Sequence, residues 1–464
     1  MNSASLCWGS ESSMTNLPFQ LSIKCDLPEQ QTETLTCKAL LREIAGRREV
    51  YDARWGDKDV IIKIFSHKIL AKYHLKREWR GLNLLRSKGL SAPKPLFYGR
   101  TEDGRWAMVV EKIADSSTAL ELFKRLVEKG EKLKLLKLVC RELAEQHKNG
   151  VLQKDLHLGN FLLANGKVFA LDCGQMHFFL SEILRKKSIS QLALLALSFG
   201  DIDSDTGAAE ELCEEYALAR QWQFNGQDKA LFQKRLILHR IKGAEKGLKK
   251  RLRTGKKCLR ISTNKYLAVF DREFCQGAEP DDLIKQIDSL MDKGQILKKG
   301  NTCYVSRTNW AGKDIVVKRY NHKGLIHSLR HTIKRSRAHR CWLNGHRLLM
   351  LGIDTPKPLA FIEEYRGPLV WKSYFITEYV DGQNLSDFLR DIHTTEDKRS
   401  KAARQIKEML DKLRKYRIIH GDLKHSNILV ADNGPVLTDL DAIKVYKWDW
   451  TYKIGSNKSI LTIY

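Results

Sequence analysis

From Ala39 onward, short apolar runs alternate with polar breaks, and the period of the pattern changes from segment to segment. Arg47 to Phe65 reads as two strands joined by a turn at Gly56-Asp57, and the second contains Val60-Ile-Ile-Lys63-Ile, where a lysine interrupts an apolar run. Lys72 to Lys88 shifts to helical spacing, with Trp79, Leu82 and Leu85 on one face and Glu78 on the same helix. Pro93 and Pro95 stop that helix, and Trp106-Ala-Met-Val-Val-Glu111 returns to strand character. Leu120 to His147 contains a strongly amphipathic helix. Leu180 to Leu252 is helical again, rich in Leu, Ala and charge, and is broken at Phe199-Gly-Asp-Ile-Asp-Ser-Asp-Thr-Gly. Residues 1–35 are polar and read as a loose leader.

The pattern then runs a second time. Tyr304 to Tyr320 gives two strands with Gly312-Lys at the turn, and Ile315-Val-Val-Lys318 repeats the lysine-bearing strand. Trp342 follows Trp79 by 263 positions (342 − 79), as Pro356 follows Pro93. Asp422 follows Asp155 by 267 (422 − 155), as Asn427 follows Asn160 and Asp439 follows Asp172. Near-constant offsets over five landmarks indicate internal duplication. The expected organisation is a leader at 1–35, a first unit at 36–255 and a second at 256–464.

The chemistry lies in two matching stretches. The first is Gln153-Lys-Asp155-Leu-His-Leu-Gly-Asn160, followed by Leu-Asp172; the second is His420-Gly-Asp422-Leu-Lys424-His-Ser-Asn427, followed by Leu-Thr-Asp439-Leu-Asp. An Asp, an Asn five residues on and a second Asp after the next apolar run have the order and spacing of a kinase catalytic loop and its metal-binding carboxylate. Asp155 and Asp422 are placed to orient an acceptor hydroxyl and take its proton. Asn160 with Asp172, and Asn427 with Asp439, are placed to hold Mg²⁺ against nucleotide phosphates. Lys63 and Lys318 are placed to contact those phosphates, with Glu78 available to fix Lys63, and Lys424 stands where a cation would help the transition state. Glu111 and Glu378 end the strands that lead into the interlobe hinge, where adenine is met. Cys341 occupies the position matching Glu78, and no Asp or Glu lies between Lys318 and Arg347, so the usual lysine–glutamate pair cannot form there.

Other classes fall away. No G-x-G-x-x-G precedes either lysine, which argues against an ordinary protein kinase, although a shorter basic turn could cover the phosphates. Neither a P-loop nor a Rossmann glycine pattern occurs. The acidic break at 199–207 has its central glycine and terminal glutamate misplaced for a calcium loop. Ten cysteines without a C-x-x-C pair fit reduced thiols. No secretory signal is expected at the start, and no run approaches a bilayer span.

A net charge of +26 points to an anionic partner. Two basic segments stand out. Lys249 to Lys257 lies at the expected boundary and reads equally as a solvated helix end or as a surface for acidic lipid or nucleic acid. Arg330, Lys334, Arg335, Arg337 and Arg340 form an acid-free helix suited to anionic lipid or a sugar phosphate, with RNA also open.

At the two loops, and at the Trp…Thr355-Pro-Lys-Pro stretch, the sequence resembles the lipopolysaccharide kinase family, the Kdo and heptose kinases of Gram-negative bacteria. The resemblance implies an α+β fold of two tandem protein-kinase-like bilobal domains. Each would have a small antiparallel-sheet N-lobe and a helical C-lobe, the latter minimal in the second domain. It further implies Mg-ATP as cofactor and lipopolysaccharide core, or lipid A-core, as acceptor. The location implied is the cytoplasmic face of the inner membrane, held peripherally at its anionic surface, with no specific nucleic acid. A protein or small-molecule kinase and a non-catalytic pair of pseudokinases remain as other readings, and whether both units turn over is open.

Overall fold

Period-2 burial in the first 111 residues builds a closed barrel rather than an open sheet. The computed structural model describes residues 17–27, 31–44, 46–66, 69–200, 202, 206–300, 303–321, 335–447 and 451–453. Strands β1 (Phe19–Leu27), β2 (Thr32–Ile44), β3 (Arg48–Trp55), β4 (Lys58–Phe65), β5 (Pro95–Thr101) and β6 (Trp106–Glu111) close in the order β1-β2-β3-β4-β6-β5. Leu21, Ile23, Leu35, Ala53, Val60, Ile62, Ile64 and Val109 fill its interior. The expectation of a loose leader over 1–35 is therefore corrected from Phe19 onward, and residues 1–16 of it lie outside the described residues. In β1, Leu21, Ile23 and Cys25 alternate with Ser22, Lys24 and Asp26, and that half-buried pattern pairs with both β2 and β5.

Helix α1 (Ala71–Ser87) packs its Leu75, Leu82 and Leu85 on the outside of the barrel, beside Ile61 and Phe65. The short strand β7 (Ser117–Thr118) leads into α2 (Ala119–Arg125), opened by a Thr118–Glu121 capping box, and then α3 (Lys129–Lys148). The amphipathic helix expected within Leu120 to His147 is α3, and α2 precedes it, separated at Leu126–Glu128. Small strands β8 (Val151–Gln153), β9 (Phe161–Ala164), β10 (Lys167–Ala170) and β11 (Met176–Phe178) frame the first motif. Helices α4 (Arg185–Ala196), α5 (Thr206–Arg220) and α6 (Gly226–Lys250) follow. A core of Leu136, Val139, Leu143, Phe161, Ile189, Leu192, Leu212 and Tyr216 joins α3, α4, α5 and the loop strands.

The chain divides into compact units at 1–236 and 237–464, so the division falls inside α6, ahead of the expected 255. The second unit has a seven-stranded sheet. Its strands are β12 (Cys258–Ser262), β13 (Tyr266–Asp271), β14 (Gln295–Lys299), β15 (Cys303–Trp310), β16 (Lys313–Tyr320), β17 (Pro358–Arg366) and β18 (Leu369–Glu378), ordered β12-β13-β17-β18-β16-β15-β14. The run β15-β16-β18-β17 repeats the order β3-β4-β6-β5. The β15–β16 turn is Ala311-Gly312, both with positive φ, one residue ahead of the expected Gly312-Lys.

Here the sheet stays open. Helix α7 (Pro280–Lys293), inserted between β13 and β14, covers one face with Leu283, Ile284, Ile287 and Met291 against Ile315 and Val317. Helix α8 (Arg337–Met350), capped by Ser336, lies on the other face with Trp342 fully buried. Strand β19 (Gln383–Asn384) and helices α9 (Leu385–Arg390) and α10 (Glu396–Lys415) precede β20 (Ile418–Ile419), β21 (Ile428–Ala431), β22 (Gly434–Leu437) and β23 (Lys444–Val445) around the second motif.

Truncation before Thr32 removes β1 and opens the barrel along β2 and β5. Burial of Leu21 and Ile23 alone is worth about 3–6 kcal/mol, so denaturant unfolding of the truncated chain should show a first unit destabilised by that order. Unchanged stability would mean that closure contributes nothing.

Candidate active sites

Strand register decides where each lysine points. In β4, Val60, Ile62 and Ile64 enter the barrel, so Lys63 shares the outer face with Ile61 and Phe65, toward α1. Its Nζ forms a short ion pair with Glu78 Oε1 and lies 3.8 Å from Asp172 Oδ1. Glu78 Oε2 accepts from Arg48 at 3.3 Å, and the same guanidinium reaches both Asp172 oxygens, at 3.3 and 3.4 Å. Arg42 adds a third cation, 4.0 Å from Asp172. Arg48 was not singled out in the sequence, although it stands in the short basic turn after Gly46 where a glycine-rich loop is missing. A cavity of about 510 Å³ opens beside these groups, lined among others by Arg47, Arg48, His74, Arg77, Glu78 and Asp172.

Burial opposes the charge on Lys63, but Glu78 and Asp172 outweigh it and hold its pKa above the ordinary lysine value. For Asp172 burial likewise favours the neutral acid, and Lys63 and Arg48 reverse this to keep it below the usual carboxylate range.

Asp172 sits at φ 51°, ψ 45°, a left-handed turn after β10. Asn160 Nδ2 donates to Asp155 O at 2.7 Å, and Leu171 N donates to Asn160 O at 2.8 Å, which ties the two halves of the motif together. Asn160 Oδ1 is buried and has no hydrogen-bond partner. A buried orphan carbonyl oxygen, on a residue whose backbone is bonded to Leu171 next to Asp172, suits a hard cation that takes its remaining ligands from phosphates and water, as Mg²⁺ does. Among the described residues no group of three or more His, Cys, Asp or Glu forms a denser metal site. The Asp155 carboxylate is exposed, with His157 Nε2 at 3.8 Å.

The second unit repeats the frame and changes its parts. Ile315 and Val317 face α7, so Lys318 and Tyr320 face α8. Lys318 Nζ lies 2.6 Å from Asp439 Oδ1, and Asp439 is left-handed at φ 56°, ψ 60°. Asn427 Nδ2 donates to Asp422 O at 2.8 Å and to Asp422 Oδ2 at 3.2 Å. Lys424 Nζ lies 3.0 Å from Asp422 Oδ2, and its hydrogen bond holds that half-exposed carboxyl below the ordinary value.

A third carboxylate enters that sequence reasoning did not assign. Asp441 Oδ2 is 3.4 Å from Lys318 Nζ, and the group also binds Arg337, the Tyr320 hydroxyl and, at 2.7 Å, Cys341 Sγ. The repeat Asp439-Leu-Asp441 was its signal. Arg337 is therefore turned onto Asp441 rather than offered to lipid; Arg335 and Arg340 are exposed, and Arg330 and Lys334 lie outside the described residues. Glu111 and Glu378 end their strands alike. Each carboxylate accepts a backbone N–H, from Lys94 at 3.3 Å and from Lys357 at 2.9 Å, bracing the Pro-Lys-Pro segments.

Behind the loops the units differ again. His420 Nε2 donates to Thr438 O at 2.8 Å, whereas Gln153 joins a buried chain. Its Nε2 donates to Gln146 Oε1 at 2.9 Å, and Gln146 Nε2 donates to Glu142 Oε1 at 2.8 Å.

Residues 288–445 match the model of the Lipopolysaccharide kinase (Kdo/WaaP) family. That stretch contains Lys318, Asp422, Lys424, Asn427, Asp439 and Asp441, and the match supports a kinase of lipopolysaccharide core biosynthesis. A crystal structure of the M. tuberculosis PknI kinase domain is similar over 36% of this chain and 70% of its own, at 17% identity and a TM-score of 0.27. No curated protein matches the chain.

Burial pushes the Glu142 carboxyl up from 4.5 to about 7. Its contribution to stability is therefore fully present below 4.5 and is lost as pH rises through 7. Glu142→Gln should raise the thermal stability of the first unit at pH 8, by about 1–3 kcal/mol, and give no gain at pH 4. An equal gain at both pH values in calorimetry would contradict this sign.

Proposed function

We propose that this chain is an ATP-dependent phosphotransferase acting on a heptose or Kdo hydroxyl of the lipopolysaccharide inner core. In this reading it is built as two tandem kinase-like bilobal units. The observation that carries the reading is the Lys318–Asp439 pair, 2.6 Å apart and in one frame with Asn427 and Asp422, inside the stretch that matches the family model.

Bound Mg-ATP supplies the phosphoryl group; the protein supplies positioning and charge. Asn427 and Asp439, and likewise Asn160 and Asp172, would hold the cation. Lys318 and Lys63 contact the phosphates, Lys63 being fixed by Glu78. The strand ends at Glu111 and Glu378 present backbone to the adenine. Asp422 Oδ2 accepts the proton of the acceptor hydroxyl, and Lys424, 3.0 Å from it, keeps that carboxylate ionised and adds positive charge where the transferring group passes.

The acceptor is acidic and membrane-borne, which fits a chain of net charge +26 working from the surface of the inner membrane on its cytoplasmic side. No helix among the described residues is long and apolar enough to cross a membrane. The first unit plays the lesser catalytic part. Arg48 already engages both oxygens of Asp172, an arrangement that favours nucleotide holding over turnover.

Transfer of labelled phosphate from Mg-ATP to dephosphorylated core lipopolysaccharide tests this. Asp422→Asn should lower the rate roughly a hundredfold or more, and Asp155→Asn by less than tenfold. Full activity in Asp422→Asn, or transfer only to protein or small-molecule acceptors, would overturn the assignment.

A further inference from the structure

The two units solve one electrostatic problem with carboxylates from different elements. A lysine on a sheet face covered by a helix needs an acid close by, since removing one member of a buried pair strands the other charge in a poorly solvated site. In the first unit that acid is Glu78 on α1, and the residue two places after Asp172 is Gly174. In the second, Cys341 stands at the Glu78 position on α8, and the residue two places after Asp439 is Asp441. We propose that Asp441 is the positioning residue of Lys318, the counterpart of Glu78 supplied from the turn after the metal-site aspartate. The proposal rests on the phosphotransfer reading above and deepens it: the second unit has a complete lysine clamp, with its acid relocated.

Three observations converge on this. The partners match in kind: Glu78 binds Lys63 and Arg48, and Asp441 binds Lys318 and Arg337. The space matches as well. A Cβ built on Gly174 would rest in ordinary contact with Glu78, 3.5 Å from its Cα and Cβ, so the position two after Asp172 abuts the helix residue that already carries the acid. In the second unit the small thiol of Cys341 leaves that room, and Asp441 fills it 2.7 Å from Sγ.

The helix-to-turn contact is re-cut to suit. A Cβ on Gly81 would come within 2.6 Å of Cys173 O, so α1 sits close on its turn. At the matching position Asn344 instead donates to Leu440 O at 3.1 Å, pinning the residue next to Asp441.

One difference follows for regulation. Glu78 ties its lysine to a helix, so displacement of α1 would undo the clamp. Asp441 ties Lys318 to the same turn that carries Asp439, so the second clamp stays assembled wherever that turn is formed.

Acyl-phosphate ATP probes, which acylate a lysine lying against the phosphates, read the two clamps separately when Lys63 and Lys318 peptides of the intact chain are quantified by mass spectrometry. The parent should show ATP-protected labelling of Lys318. Asp441→Asn should reduce it at least tenfold while Lys63 labelling, the internal control, is unchanged. The double variant Cys341→Glu with Asp441→Gly moves the acid back to the helix and should restore at least half. Lys318 labelling in Asp441→Asn within twofold of the parent overturns the proposal. Should Asp441→Asn fail to fold, the double variant decides: restored labelling supports the pairing, and loss of fold or labelling overturns it. Absence of protected Lys318 labelling in the parent instead overturns the phosphotransfer reading of this unit, and the pairing with it.

Discussion

Each unit depends on a cation held out of water by acids brought from distant parts of the chain. Lys63 and Lys318 each lie on a strand face that helix packing closes over, with side chains only 12% and 17% exposed. A charge in that position is tolerated only if carboxylates meet it, and the meeting ties the sheet to the loops beyond it. Lys63 reaches Glu78 on α1 and Asp172 after β10; Lys318 reaches Asp439 and Asp441 after β22. The strands, the covering helix and the left-handed turn at the second aspartate are placed so that these pairs form.

Much of this was legible in the sequence because the relevant signals are local. The lone lysine in each apolar run, Lys63 in Val60 to Phe65 and Lys318 after Ile315-Val-Val, marks the charged position of its strand. The Asp-to-Asn spacing fixes a turn in which Asn160 and Asn427 return to the backbone of Asp155 and Asp422. What escaped was non-local. β1 looks polar because half of it faces water, and only its pairing with β2 and β5 makes it part of the barrel. Asp441 was in view beside Asp439, yet its role follows from Cys341 a hundred residues earlier, a relation that no periodicity carries. Arg48 was missed for the same reason, since its partners are 30 and 124 positions away.

The positive charge of the chain is likewise not one surface. Arg337 looked from the sequence like part of a basic helix face and is instead spent on Asp441, as Arg48 is spent on Glu78 and Asp172. Arg335 and Arg340, by contrast, are exposed. Counting charge gives the sign of a partner; pairing decides which residues are available to it.

In the proposed reading both units carry a working clamp for nucleotide phosphates, built with acids from different elements. Isothermal titration of the intact chain with Mg-ATP tests this most directly. Two equivalents are expected per chain, reduced to one by Lys318→Met and to one by Lys63→Met. A single equivalent in the parent, unaffected by one of those changes, would contradict it.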